Sequence, residues 1–96
     1  MRMLMLARID TEKGNQAIAN GTMPKLMQTI LAELKPEAAY FGPLDGRRTA
    51  FLFFDLQKVS DLPRLAEPFF GELGADCTVM PVMNAEDLTA GISRMK

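Results

Sequence analysis

Two periods of apolar spacing share this chain, and each change from one to the other marks the end of an element. Residues 2–9, RMLMLARI, form a short apolar run that stops at Asp10-Thr11, which predicts a strand followed by a helix cap. Over residues 12–34 the apolar positions are Ala17, Ile18, Met23, Leu26, Met27, Ile30, Leu31 and Leu34. From Met23 onward they recur as the stripe of an amphipathic helix. Asn20-Gly21 and Pro24 interrupt this stretch, predicting either a kink or two consecutive helices, with Thr22 capping the second.

Residues 37–44, EAAYFGPL, read as a second strand, and Asp45-Gly46 is a two-residue hairpin signal. A third strand, RRTAFLFFDL, follows at once. Ser60 is expected to cap a helix over DLPRLAEPFFGEL, whose Leu62, Leu65, Ala66, Phe69, Phe70 and Leu73 repeat the helical stripe. Pro68 should bend that helix or end it early, and Gly74 should stop it. The fourth strand is ADCTVMPV. Asn84 then opens a last helix with Leu88, Ile92 and Met95 on one side and Glu86 and Asp87 in its first turn.

The order β-α-β-β-α-β predicts one α+β domain over residues 1–96, a ferredoxin-like sandwich with an antiparallel sheet in the order 4-1-3-2 and a short C-terminal helix. That order makes the two most apolar strands central. It leaves Pro43 and Pro81 on edge strands, where a missing donor costs no ladder bond.

Side chains alternate across a strand, so the hairpin turn fixes a register. Leu44 falls opposite Arg47, Gly42 opposite Thr49, Tyr40 opposite Phe51 and Ala38 opposite Phe53. The other face pairs Phe41 with Ala50 and Ala39 with Leu52. Strand one has Met3, Met5, Ala7 and Ile9 on one side, Leu4 and Leu6 on the other. Both faces are apolar, whereas a sheet with one wet face alternates apolar and polar. Helices in this layout cover one face, and the last helix offers too few apolar residues to cover the second. Phe51, Phe53 and Tyr40 would expose roughly a few hundred Å² of apolar surface. A second copy packed sheet to sheet, a homodimer, is the expected answer.

Composition narrows the chemistry. Eleven basic and twelve acidic residues leave a net charge of −1, which gives no general attraction to nucleic acid or anionic membrane. There is no histidine and one cysteine, so no metal site and no disulfide within the chain are expected. The apolar start is broken by Arg8 and is too short for a signal peptide, so a cytoplasmic protein without a membrane span is expected. Strand three lacks the glycine and one stacking aromatic of an RNA-recognition motif, and no Cys-x-x-Cys of a heavy-metal carrier is present.

The candidate site residues follow from the uncovered face. Tyr40, the sole tyrosine, can orient a carbonyl or quinone-like ligand in an apolar cavity, or hydrogen-bond at an interface. Asp55 on the same face is a candidate general base if buried, and otherwise pairs with Arg2 or caps the strand exit. Thr49, Phe51 and Phe53 would line the cavity. Arg8, Arg47 and Arg48 converge on one end of the sheet and could attract an anion, or sit solvated and ion-paired. Cys77 reads as an inert strand residue without a base beside it.

The segments DGRRTAFLFFD, SDLPRLAEPFF and GADCTVMPVMNAEDL resemble the dimeric α+β-barrel superfamily, and within it a group of small, largely uncharacterised members. That resemblance implies a ferredoxin-like fold, a dimer, and a cavity between helices and sheet or between sheets. Better-known relatives include antibiotic-biosynthesis monooxygenases, muconolactone isomerases and haem-binding enzymes whose histidine ligand is missing here. The expected function is binding or cofactor-independent isomerisation or oxygenation of a hydrophobic small molecule, with Tyr40 and Asp55 as catalytic residues. The alternative is a non-catalytic metabolite-sensing or assembly module.

Overall fold

In the computed structural model, which describes residues 1–95, four strands and four helices follow the chain. They are β1 (Arg2–Arg8), α1 (Thr11–Ala19), α2 (Thr22–Leu34), β2 (Ala38–Leu44), β3 (Arg47–Asp55), α3 (Leu62–Leu73), β4 (Asp76–Pro81) and α4 (Ala85–Ser93). The sheet is antiparallel throughout, in the order β2-β3-β1-β4. Read from the opposite edge this is 4-1-3-2, the order expected, and the arrangement is compatible with a ferredoxin-like α+β fold.

The hairpin holds the register expected of it, with Tyr40 against Phe51 and Leu44 against Arg47. Asp45 and Gly46 both adopt positive φ, 53° and 78°, the backbone that a two-residue turn needs to match the strand twist. Arg2 and Asp55 are paired across β1 and β3, and Met3 lies opposite Pro81 on β4.

Of the two expectations for residues 12–34, a kink or two consecutive helices, the second is met, with the break at Asn20-Gly21. Gly21 is left-handed, and the Asn20 side chain accepts from both the backbone N–H and the hydroxyl of Thr22. Asn20 therefore supplies the capping oxygen that was expected from Thr22. Asp10 caps α1 by accepting from the Lys13 N–H at 3.0 Å. Ser60 does not cap α3: it lies inside a 3-10 turn, Val59–Asp61, that leads into the helix. Pro68 does not end α3, which runs on to Leu73 and stops at left-handed Gly74.

Met3, Met5 and Ala7 of β1, with Ala50, Leu52 and Phe54 of β3, form the buried side of the sheet. Ala17 of α1, Ile30 and Leu34 of α2, and Leu65, Phe69 and Leu73 of α3 close over them. All three packed helices lie on this one side. Truncating Phe54 or Phe69 to alanine in such a core costs about 3–5 kcal/mol.

The fourth helix behaves differently. It begins with a reciprocal capping box between Asn84 and Asp87, yet none of its residues is buried. Leu88 and Ile92 are 48% and 56% exposed. As its few apolar residues led one to expect, it does not cover the open sheet face. The molecule measures 55 × 27 × 18 Å with a radius of gyration of 15.2 Å, against about 12–13 Å for a compact chain of this length. Among the described residues no helix is long and apolar enough to cross a membrane.

Candidate functional site

The strand alternation that buries Met5 and Leu52 turns Leu4, Leu6, Phe51, Phe53, Tyr40 and Met80 to the opposite side of the sheet. No helix covers them. The central four are half-buried by one another, and Tyr40 on the edge strand is 66% exposed. Ion pairs close both ends of this apolar field. At one end Arg8 meets Asp45 at 3.3 Å and Arg47 meets Asp76 at 3.0 Å. At the other, the N-terminal amine meets Asp55 at 2.6 Å, and Arg2 pairs with Glu37 and, at 3.8 Å, with Asp87.

Tyr40, Thr49, Phe51 and Phe53 thus share one face, as their spacing implies. Asp55 does not join them as a buried base. It lies four residues beyond Phe51 along β3, roughly 13 Å at the rise of a strand. Its carboxylate is exposed, held by the terminal amine and by the Gln57 amide. Arg2, the partner expected for it, is engaged by Glu37 instead. The Thr49 hydroxyl is buried and donates to the Arg47 carbonyl at 3.0 Å, so its hydrogen-bonding need is met locally.

The expected arginine cluster separates by face. Arg47 reaches across β1, donating to the carbonyls of Arg8 and Ile9 as well as to Asp76. Arg8 is tied to the hairpin through Asp45. Arg48, one residue on, points to the helix side, where a Cβ on Gly14 of α1 would lie 3.1 Å from its Nη1.

A second feature lies on that helix side, where the resemblance implied a cavity between helices and sheet without assigning residues to it. An open cleft of about 370 Å³ lies between the α1–α2 junction and the β2–β3 hairpin. Ile9 lies at the end of β1, Ile18 belongs to α1, Met23 and Met27 to α2, and Phe41 and Arg48 to the hairpin. Ile18 and Phe41 stay more than half exposed. The signal for it was present: Phe41 falls on the helix side of an edge strand, and Asn20-Gly21 ends α1 before it reaches across.

Cys77, on β4, is the free cysteine of the chain. Burial, with a smaller contribution from the adjacent Asp76 carboxylate, pushes its thiol up to about 11, the opposite of what a nucleophile needs. Among the described residues no three His, Cys, Asp or Glu side chains converge as a metal site. Compared with known proteins, the chain matches no family model, no curated protein and no solved structure.

Proposed function

We propose that the protein works as a homodimer paired through the open face of its sheet, in the manner of the dimeric α+β barrels, and that it binds a hydrophobic small molecule. One observation carries this reading: an apolar field of Leu4, Leu6, Phe51, Phe53, Tyr40 and Met80 with ion pairs at both ends. An apolar centre within a charged rim is the anatomy of a protein interface. At about 25 cal/mol per Å², covering a few hundred Å² contributes several kcal/mol. The α4 helix belongs to the same interface. Its entry segment, Val82-Met83-Asn84, runs beside Ala38 and Phe53 at the edge of the open face, and its own Leu88 and Ile92 stay about half exposed.

Light scattering at micromolar concentration tests this directly. The expected mass is about twice the 10.6 kDa of the chain, and Phe51→Asp should reduce it to a folded monomer with unchanged far-UV circular dichroism. A wild-type monomer at those concentrations would remove the dimer.

Of the two functional classes open to such a dimer, the distance between Tyr40 and Asp55 favours binding or sensing over catalysis by that pair. Should turnover of an isomerase or monooxygenase type be found, Tyr40→Phe should reduce it and Asp55→Asn should leave it unchanged. A loss of turnover in folded Asp55→Asn would restore the general base.

A further inference from the structure

The geometry points to the helix-side cleft as a binding site for an apolar monocarboxylate, with Arg48 as its anchor. This rests on the small-molecule half of the reading above and is independent of the dimer, because the cleft opens on the other side of the sheet.

The chemistry of the lining is lopsided. Ile9, Ile18, Met23, Met27 and Phe41 give apolar walls, and Arg48 supplies the only charge. A volume of about 370 Å³ lies within the range of small-molecule pockets, which pair an apolar lining with a few polar groups that orient the ligand. Two methionines suit a site that adapts to chains or rings of differing outline.

The arginine is the informative residue. Arg2, Arg8, Arg47 and Arg64 enter ion pairs, whereas none among the described residues includes Arg48 or Arg94, and of those two only Arg48 lines the cleft. Its stem crosses α1 where Gly14 leaves room, with Cδ 3.7 Å and Nη1 3.1 Å from the place a Cβ would occupy. Arg48 is exposed and lines the cleft, and among the described residues its guanidinium makes no side-chain hydrogen bond. A planar cation matches a carboxylate by two parallel hydrogen bonds. The walls add no second cation, which selects one anionic head on an apolar body over a dicarboxylate. The carboxylate would stay at the mouth, partly in water, and the chain or ring would cover Met23, Met27 and Phe41.

Nuclear magnetic resonance with methyl-labelled methionine, using decanoate below its micellar concentration, tests this site. Decanoate should shift the Met23 and Met27 methyls and leave Met80 and Met83 still. Decanol should bind about tenfold more weakly, the difference expected for a charge-assisted hydrogen bond. Acetate, a head without a body, should produce no shift. In Arg48→Gln the preference for acid over alcohol should vanish while the alcohol binds as before. Equal binding of decanol and decanoate to the wild type overturns the carboxylate anchor and leaves a neutral-ligand binder standing. Shifts at Met80 rather than Met23 and Met27 overturn the location. Absence of any response to either compound removes both this site and the small-molecule reading, while the dimer measurement stands apart. If Met23 and Met27 shift on dilution without ligand, the cleft is filled by a second copy, and the proposal fails.

Discussion

Two glycines of α3 and its exit make the same substitution act in opposite directions. Gly74 ends the helix at φ 54°, and its N–H and that of Ala75 satisfy the carbonyls of Phe70 and Phe69. An alanine there must take a left-handed backbone and press on the Lys13 stem, 2.8 Å away. The expected loss is about 1–2 kcal/mol. Gly71 sits in the helix with only ordinary contact to Glu67, so Gly71→Ala should gain about 0.5–1 kcal/mol from helix propensity. Thermal unfolding of the two variants checks both signs; equal shifts would contradict the cap. Cys77 supplies a second residue-scale expectation. Burial raises its thiol from the ordinary 9.0 to about 11, so the folded state holds the proton more firmly than the unfolded one. The thiol's stabilising contribution is therefore complete below pH 9 and lost as pH rises towards 11. Iodoacetamide should alkylate the folded protein slowly at pH 8, with a rate midpoint near 11, and Cys77→Ala should flatten part of the decline in stability over pH 9–11. A midpoint near 9 would refute the burial account.

At the scale of elements, what was legible in the sequence is what depends on neighbours along the chain. The β2–β3 register followed from a side-chain period of two and a turn whose length Asp45-Gly46 fixes. Asn20-Gly21 marked the break between α1 and α2, although which residue supplies the cap turned on a side-chain rotamer. Of the two expectations for Pro68, an early end is not met, because Leu65, Ala66, Phe69 and Leu73 are buried on both sides of it and packing outweighs one lost ladder bond. The destination of Arg47 and the pairing of Asp55 join residues far apart in the chain, and no periodicity encodes them. The lining of the helix-side cleft was not legible for the same reason, since it exists only where α1, α2 and the hairpin meet. The apolar edge of α4 was legible but its resting place was not, because nothing in its own chain provides one. A nine-residue helix alone in water is marginal. In hydrogen exchange, the amides of Leu88–Ile92 should therefore be protected at concentrations that favour the dimer and exchange freely in monomeric Phe51→Asp. Equal protection in both would mean that α4 is stable without the second copy.

The whole molecule is a sheet with one dressed side, one bare side and an extended arm. Its radius of gyration of 15.2 Å reflects α4, which buries none of its residues against the rest of the chain. The bare side and the cleft lie on opposite faces of the sheet, so the proposed partner and the proposed ligand would not compete for one surface. A ligand entering the cleft would touch α1, α2 and the hairpin, and the hairpin also carries Tyr40 and Phe51 on its far side. Two residues on the outer strands then govern what kind of assembly can form. Pro43 and Pro81 each deprive an outer strand of a donor, which discourages a further copy from extending the ladder sideways. On the proposed pairing, growth by stacking would stop as well, because it would use the undressed side of each copy. Raising the concentration should therefore saturate at two chains and never produce filaments, a limit written into the sheet by its two proline-bearing margins.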